Sequence, residues 1–295
     1  AAASGKPVVA NFLPTQVVEN SVAFLKEKGI PNYISGERAV TTLSQISRYY
    51  SGLKDRAGDS GYTAAYKNLM ERLGGKSSPL PGSESILEPD AMKWLQDNGL
   101  PTPPFQFAPT EDDAAKACAE IGYPCVMKVV SPQIIHKSEY GGVIVNIKDE
   151  AAARKAYQTI RGRAEGKDFR GVIIYPMVSE AQEVLLGLTV DPQFGPVVAF
   201  GLGGIYTEIF KDVVLRVAPI DRAEAVKMIH SIKAIKLLQG ARGKAPSDLD
   251  TLADVLVKFS ELPFRYPEIA EMDLNPVFVL PKGLMIGDVR VIRKI

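Results

Sequence analysis

The sequence predicts an α+β fold from Ile86 onward, preceded by a linker and a partial α/β segment. Three observations carry this. Short apolar runs alternate with amphipathic stretches of helical period after residue 86. The first fifty or so residues hold a single β-α-β-α piece, too small for a full doubly wound domain, which needs about 100 residues. Between them, residues 53–85 scatter Gly58, Gly61, Gly74, Gly75, Pro79, Pro81 and Gly82 among charges and serines, the composition of a linker.

Taken in order, residues 8–12 form an apolar run stopped by Pro14, a short strand. Residues 16–28 allow a helix that Gly29 and Pro31 close. Tyr33-Ile34 is a second brief strand, residues 37–50 are an amphipathic helix, and residues 62–73 offer one short helix in the linker. Residues 89–98 read as a helix ended by Gly99 and Pro101. The run Thr110-Glu111-Asp112-Asp113 is an acidic N-terminus for the helix through Ile121, because carboxylates there meet the positive end of the helix dipole. Strands are expected at residues 125–130 and 143–147, a helix at 151–163, and strands at 172–175, 184–190, 197–200 and 213–217. Helices at 222–238 and 249–262 follow. Residues 277–280 and 284–291 form a hairpin around Pro281-Lys282-Gly283.

Composition narrows the function. The chain is 46% hydrophobic and 23% charged with a formal net charge of +1, so no field recruits nucleic acid or an anionic membrane surface. No apolar run is long enough to span a bilayer. Cys118 and Cys125 are the only cysteines, too few for a disulfide framework and without metal-site spacing, which fits a reducing, cytoplasmic compartment. The opening Ala1-Ala2-Ala3-Ser4-Gly5 lacks the features of a signal peptide and fits the cut end of a longer chain or a cloning remnant.

Several residues stand out chemically. Lys128 sits inside the apolar run Val126-Met127-Lys128-Val129-Val130. It is either on the solvent face of an edge strand or a point charge aimed at ligand phosphates. The following loop carries His136 and then Gly141-Gly142, a polar setting in which an imidazole titrates or becomes phosphorylated. His230 lies within a helical pattern and reads as structural. Tyr175, Met177 and Val178 follow a strand and offer backbone groups to an adenine edge, with Glu183 available to ribose hydroxyls, although a lone glutamate at a strand start is usually a solvated charge. Gly201-Leu202-Gly203-Gly204 lacks the third glycine of a dinucleotide turn, since position 206 is Tyr. It remains a phosphate nest or a plain turn. With the hairpin turning on Pro281-Lys282-Gly283, Asp288 falls opposite Pro276 and diagonal to Asn275, about 5–8 Å away. Such a pair either shares an oxygen-ligated Mg²⁺ or is simply two solvated polar groups.

In combination these stretches resemble the ATP-grasp domain of NDP-forming acyl-CoA synthetases, relatives of the succinyl-CoA synthetase β subunit. The resemblance runs from Ile86 to Ile295. It rests on Gly122-Tyr123-Pro124 leading to Lys128, on Ser131-Pro132 leading to His136-Lys137-Ser138-Glu139 and Gly141-Gly142-Val143, and on Asp191-Pro192-Gln193-Phe194-Gly195-Pro196. The run 200–212, Leu238-Gln239-Gly240-Ala241-Arg242-Gly243, and Asp273-Leu274-Asn275-Pro276 with Asp288 complete it. The resemblance implies an ATP-grasp fold, two α+β subdomains clasping nucleotide, with residues 1–52 the tail of a flavodoxin-like CoA-ligase domain, 53–85 a linker and 86–295 the ATP-grasp domain. It implies that Lys128 contacts nucleotide phosphates and that Asn275 and Asp288 hold Mg²⁺. His136 then receives phosphate in a phosphohistidine relay, with Glu208 and Asp273 orienting the imidazole or taking its proton.

The reaction implied is acyl-CoA + ADP + phosphate ⇌ carboxylic acid + CoA + ATP. CoA would bind only through domains absent from this chain, so a CoA-binding domain or subunit, a carboxylic acid substrate and an oligomeric full enzyme are expected. Two positions depart from the family: Glu139 stands where aspartate is common, and Met92, beside Lys93, where lysine is common. The competing readings are a non-catalytic nucleotide-sensing domain, as in a regulatory acetyltransferase, and a carboxylate–amine ligase.

Overall fold

The structure, a computed structural model, describes residues 9–11, 19–33, 35–57, 69, 71, 80–81, 86–204, 212–240 and 245–294. It divides into two units, Ala1–Thr63 and Ala64–Ile295. The first has the β-α-β-α order read from the sequence: β1 (Ala10–Asn11), α1 (Glu19–Glu27), β2 (Asn32–Tyr33) and α2 (Gly36–Ala57). The two strands pair in parallel, Ala10 with Asn32. Gly29, at φ +70°, ends α1, as expected. Helix α2 runs seven residues past the expected stop at Tyr50, into the stretch expected to be linker. Leu53, Lys54, Arg56 and Ala57 are good helix formers and carry it past Gly52. The helix expected at 62–73 lies outside the described residues apart from Leu69 and Glu71, both helical.

The second unit is built on two antiparallel sheets. The smaller has four strands in the order β3-β6-β4-β5: β3 (Gln106–Ala108), β4 (Cys125–Val130), β5 (Val143–Ile147) and β6 (Gly171–Pro176). One face packs against α4 (Glu111–Ile121) and α5 (Glu150–Arg163) over a core that includes Cys118, Met127, Val129, Tyr157 and Ile160. Thr110 caps α4 by accepting from the Asp113 amide at 3.2 Å. Because β4 alternates, Cys125, Met127 and Val129 point to those helices, while Lys128 and Val130 take the opposite face.

The larger sheet runs β11-β10-β7-β8-β9, with β12 also paired to β10. Its strands are β7 (Gln182–Asp191), β8 (Gly195–Leu202), β9 (Val213–Val217), β10 (Ile269–Val279), β11 (Leu284–Ile286) and β12 (Val289–Arg293). Helices α3 (Glu88–Asp97), α6 (Arg222–His230) and α8 (Leu249–Arg265) bury Trp94, Leu95, Met228, Leu256 and Phe259 in the main core, which also takes Val130, Ile173 and Tyr175 from the smaller sheet. The expected helix at 222–238 is broken: α6 stops at His230 and a single turn, α7, spans Ile235–Leu238. The carboxylate of Asp212 accepts from the Lys233 and Ala234 amides, both at 2.9 Å, and so ties down the stretch between the two helices. Met92, where the family commonly has lysine, is fully buried in this core, and Lys93 pairs with Asp97 on the surface.

Candidate active site

Strand β10 carries the site because its pairing is interrupted. Against β7, Leu274 faces Leu186 and Val277 faces Val184, so Asn275 and Pro276 together oppose one residue. That is a β-bulge, a device that re-aims side chains. On its other side β10 pairs with β12 up to Leu274–Val289 and with β11 from Val277–Ile286, leaving Asn275 and Pro276 across from Gly287 and Asp288. Continuing either register puts Asp288 opposite Asn275, one residue from the expected pairing with Pro276. The cause is the turn. Leu280 donates to the Gly283 carbonyl at 3.0 Å, so two residues separate the closing pair rather than three.

Lys128 is not on an edge: β4 lies between β5 and β6, and the residue is buried. Its ammonium donates to the Gly287 carbonyl at 2.6 Å and to Glu88 Oε1 at 3.2 Å, and lies 3.5 Å from Asp288 Oδ2. It also sits 4.9 Å above the Tyr175 ring, a cation–π geometry. Lys137 reaches the same acids, 2.9 Å from Glu88 Oε2 and 2.9 Å from Asp288 Oδ1. The Tyr175 hydroxyl donates to Glu88 Oε1 at 2.6 Å. Two ammoniums thus share two carboxylates. At an effective dielectric of about 20, a contact at 3 Å is worth roughly 5 kcal/mol of attraction, against a desolvation cost of several kcal/mol per ion. The group is therefore close to balanced as a set and adds little to folding.

Glycine geometry places the other partners. A Cβ at Gly287 would run into the Phe278 ring and press on the Pro276 carbonyl at 3.1 Å, so a glycine here lets the strand break pass close to β10 with its carbonyl on Lys128. In the β4–β5 loop a Cβ at Gly142 would meet Val129 at 2.5 Å, and the Gly142 amide donates to the Lys137 carbonyl at 2.7 Å. The Tyr140 amide closes the same loop on the His136 carbonyl at 3.1 Å, while buried Ile134 anchors it in the smaller core. These contacts present His136 and Lys137 to a cavity of about 200 Å³ shared with Asp273, Asn275, Asp288 and Arg290.

Charge in this cavity is tuned. Burial pulls the Lys137 ammonium down, but Glu88 and Asp288 outweigh it, and its pKa lies above the ordinary lysine value. Burial pushes Asp288 up, yet Lys128 and Lys137 more than reverse this and hold it below the usual carboxylate range. Asp273 goes the other way. Its burial and the neighbouring Asp288 raise its pKa, with Arg290 and His136 pulling partly back. Asn275 and Asp288 supply hard oxygen donors across a bulge, fitting an oxygen-ligated Mg²⁺ completed by phosphate and water. Among the described residues no cluster of three His, Cys, Asp or Glu forms a metal site by protein ligands alone.

The base-edge candidates lie elsewhere. Tyr175 points its side chain into the ion cluster, and burial, then Glu88, push its phenol well above the ordinary value. Met177 is exposed, and its amide donates to the Pro124 carbonyl at 3.1 Å, so that donor is engaged. Val178 is half-buried and Glu183 exposed. The Gly203 amide donates to the Glu183 carbonyl at 2.8 Å, and a Cβ at Gly204 would lie 2.7 Å from Glu183 Oε2. Glu208 lies outside the described residues. His230 is exposed on α6.

Three members of the site were not singled out from sequence: Glu88, Lys137 and Arg290. Lys137 adjoins His136, and Arg290 follows Asp288 by two, so both had a spacing signal. Glu88 had none, because an acid opening a helix is ordinary.

Two sheets meeting at paired lysines, with an asparagine–aspartate pair and a loop histidine around one cavity, define the nucleotide-clasping class of α+β folds. A family model described as an ATP-grasp domain matches residues 81–292, and the chain belongs to the ATP-grasp family. It is 46% identical over 233 residues to acetate–CoA ligase [ADP-forming] I subunit beta of Pyrococcus furiosus, covering 78% of this chain and 98% of that one. To acetate–CoA ligase [ADP-forming] I of Archaeoglobus fulgidus it is 36% identical over 292 residues. It spans 98% of the length of the first relative but 42% of the second. Among solved structures, Ca. Korarchaeum cryptofilum dinucleotide forming acetyl-coenzyme A synthetase 1 in complex with coenzyme A, Ca-AMPCP and HgCl+ aligns with a TM-score of 0.70 at 41% identity, over 72% of this chain and 95% of that one. No described helix is long and apolar enough to cross a membrane.

Proposed function

We propose that this chain is the nucleotide-binding, phosphoryl-transfer half of an ADP-forming acyl-CoA synthetase, working through a phosphohistidine at His136. The observation that carries the reading is the single cavity that joins His136 and Asp273 to Asn275 and Asp288, beside the Lys128–Lys137 pair. In the ATP-consuming direction an imidazole nitrogen of His136 attacks the γ-phosphorus. The N–P bond forms as the bridging P–O bond breaks, and ADP leaves with the electron pair. Lys128 and Lys137 neutralise the phosphate oxygens, and such positioning and charge stabilisation supply most of the catalysis in phosphoryl transfer. Asp273 lines the same cavity as His136 and takes or orients its second proton; its raised pKa suits that task. Asn275 and Asp288 would hold Mg²⁺, which when bound neutralises charge on the transferred group.

The same reading assigns residues 1–52 to the tail of a flavodoxin-like CoA-ligase domain, 53–85 to a linker and 86–295 to the ATP-grasp domain. It gives Tyr175, Met177, Val178 and Glu183 to the base and ribose, and Glu208 to the imidazole. CoA and the carboxylic acid bind to a partner domain or subunit, within an oligomeric enzyme in the cytoplasm.

The test is incubation with γ-labelled ATP and Mg²⁺, followed by a search for acid-labile, base-stable phosphate. Label is expected on the parent and none on His136→Ala. No label even with the CoA-binding partner added would sink the reading in favour of a nucleotide sensor.

A further inference from the structure

Glu88 takes no part in the steps above, yet it is the most enclosed member of the ion cluster, with its side chain 2% exposed. It opens α3 and meets groups from three other places: the Tyr175 hydroxyl on β6, the Lys128 ammonium on β4 and the Lys137 ammonium on the β4–β5 loop. Asp288 touches the same two ammoniums but is 23% exposed and lines the cavity opposite Asn275. Glu88 is set back from that lining. Asp288 opens onto the cavity, whereas every partner of Glu88 belongs to the cluster itself. An exchangeable acid and a fixed one therefore share two cations.

Resting on the reading that this cavity takes Mg-nucleotide, we propose that Glu88 is the positioning residue of the site, holding Lys128 and Lys137 in place while Asp288 exchanges its lysine partners for a divalent cation. Formally the cluster is neutral, with two ammoniums and two carboxylates. When Asp288 turns to a metal ion, Glu88 remains as the lysines' counter-charge, so neither cation is left buried without a partner. Their remaining N–H groups are then free to turn to phosphate oxygens. The Tyr175 hydroxyl holds the carboxylate from the β6 side. Metal and nucleotide are thereby coupled: each favours the arrangement the other needs.

Glu88→Gln keeps the size of the side chain and leaves one excess positive charge. Both lysines then fall to Asp288, so a metal competes harder for it, whereas an anion alone meets surplus positive charge. By calorimetry on the full chain, Mg²⁺ is expected to improve ADP affinity about ten-fold less in the variant than in the parent, with the Kd for ADP alone unchanged or lower. Glu88→Asp, which keeps the charge, is expected to recover most of the Mg²⁺ effect. Equal weakening of ADP binding with and without Mg²⁺ would mark a merely structural role and overturn the proposal.

A second readout needs no nucleotide. In ¹⁵N spectra of the ligand-free chain, Lys128 and Lys137, assigned through Lys128→Met and Lys137→Met, are expected to give solvent-protected ammonium signals. Glu88→Gln should shift both and speed their exchange. If that variant does not fold, Tyr175→Phe frees Glu88 Oε1 and should shift the Lys128 signal. Unshifted signals in the variant that folds overturn the proposal. A parent that binds no ADP under either condition sinks the nucleotide reading instead, and the ammonium signals alone then decide whether Glu88 holds the lysines.

Discussion

Asp273 shows what function costs a single residue. Its half-buried carboxyl lies near Asp288, and its pKa is raised by partial burial and that charge. A carboxylate raised in the folded state makes the fold less stable wherever it is ionised, and the penalty disappears as pH falls through its folded value and below the ordinary one, 3.8. Asp273→Asn is therefore expected to be more stable than the parent at neutral pH by denaturant unfolding, with the gain shrinking in the acid range. The same variant should phosphorylate His136 about 100-fold more slowly if Asp273 handles its proton. A variant less stable than the parent at neutral pH would contradict the first half, and undiminished labelling the second. Single residues were unevenly legible in the sequence. Asp273, Asn275 and Asp288 announce themselves by spacing on a hairpin. Lys128 stands out as a charge within an apolar run, but its direction was not legible, because β4 is buried on both faces and periodicity cannot choose between them. Glu88 could not be read at all: its partner Lys128 is 40 residues away, and that lysine's carbonyl acceptor, Gly287, lies 159 residues beyond Lys128.

At the scale of elements, the turn between β10 and β11 fixes which residue faces Asn275. Asp248 clamps it. Its carboxylate accepts from the Thr251 amide at 3.0 Å, capping α8, and from the Gly283 amide at 2.8 Å, while its own amide donates to the Leu280 carbonyl at 2.8 Å. The Thr251 and Gly283 amides lower its pKa, so its contribution is complete above the ordinary aspartate value and is lost as pH falls through the depressed one. Asp248→Ala is expected to cost about 1–2 kcal/mol, as for a lost N-cap. The midpoint of thermal unfolding should fall, and the difference from the parent should narrow in acid; an unchanged midpoint would refute the clamp. Elements were the most legible level. Strands β4, β5 and β9 and helix α4 lie where apolar period and capping residues put them. Two of the misses come from contacts far along the chain, while the overrun of α2 and the one-residue slip at Asp288 are local in origin. Asp212 splits the helix expected at 222–238, and the three-residue β3 exists because β6 pairs with it.

Across the whole of the second unit, one group of charges ties the smaller sheet to the larger. Lys128 comes from β4 and Lys137 from the loop after it; Asp288 and the Gly287 carbonyl belong to the break between β11 and β12. Removing a cation from this group should affect the two ligands in opposite directions. Lys128→Met leaves a straight apolar chain over the Tyr175 ring and gives the cluster one excess negative charge. Mg²⁺ alone then finds Asp288 less contested and should bind more tightly, while ADP loses a phosphate partner and should bind at least about ten-fold more weakly. Breaking a buried pair also carries a folding cost of about 3–5 kcal/mol, which denaturant unfolding would register. Calorimetry with Mg²⁺ alone, ADP alone and both separates these effects. General loosening of the unit weakens all three titrations together. Only a shared charge balance strengthens metal binding while weakening nucleotide, and a variant that bound both less tightly would show that the two sheets are joined by packing rather than by the ions between them.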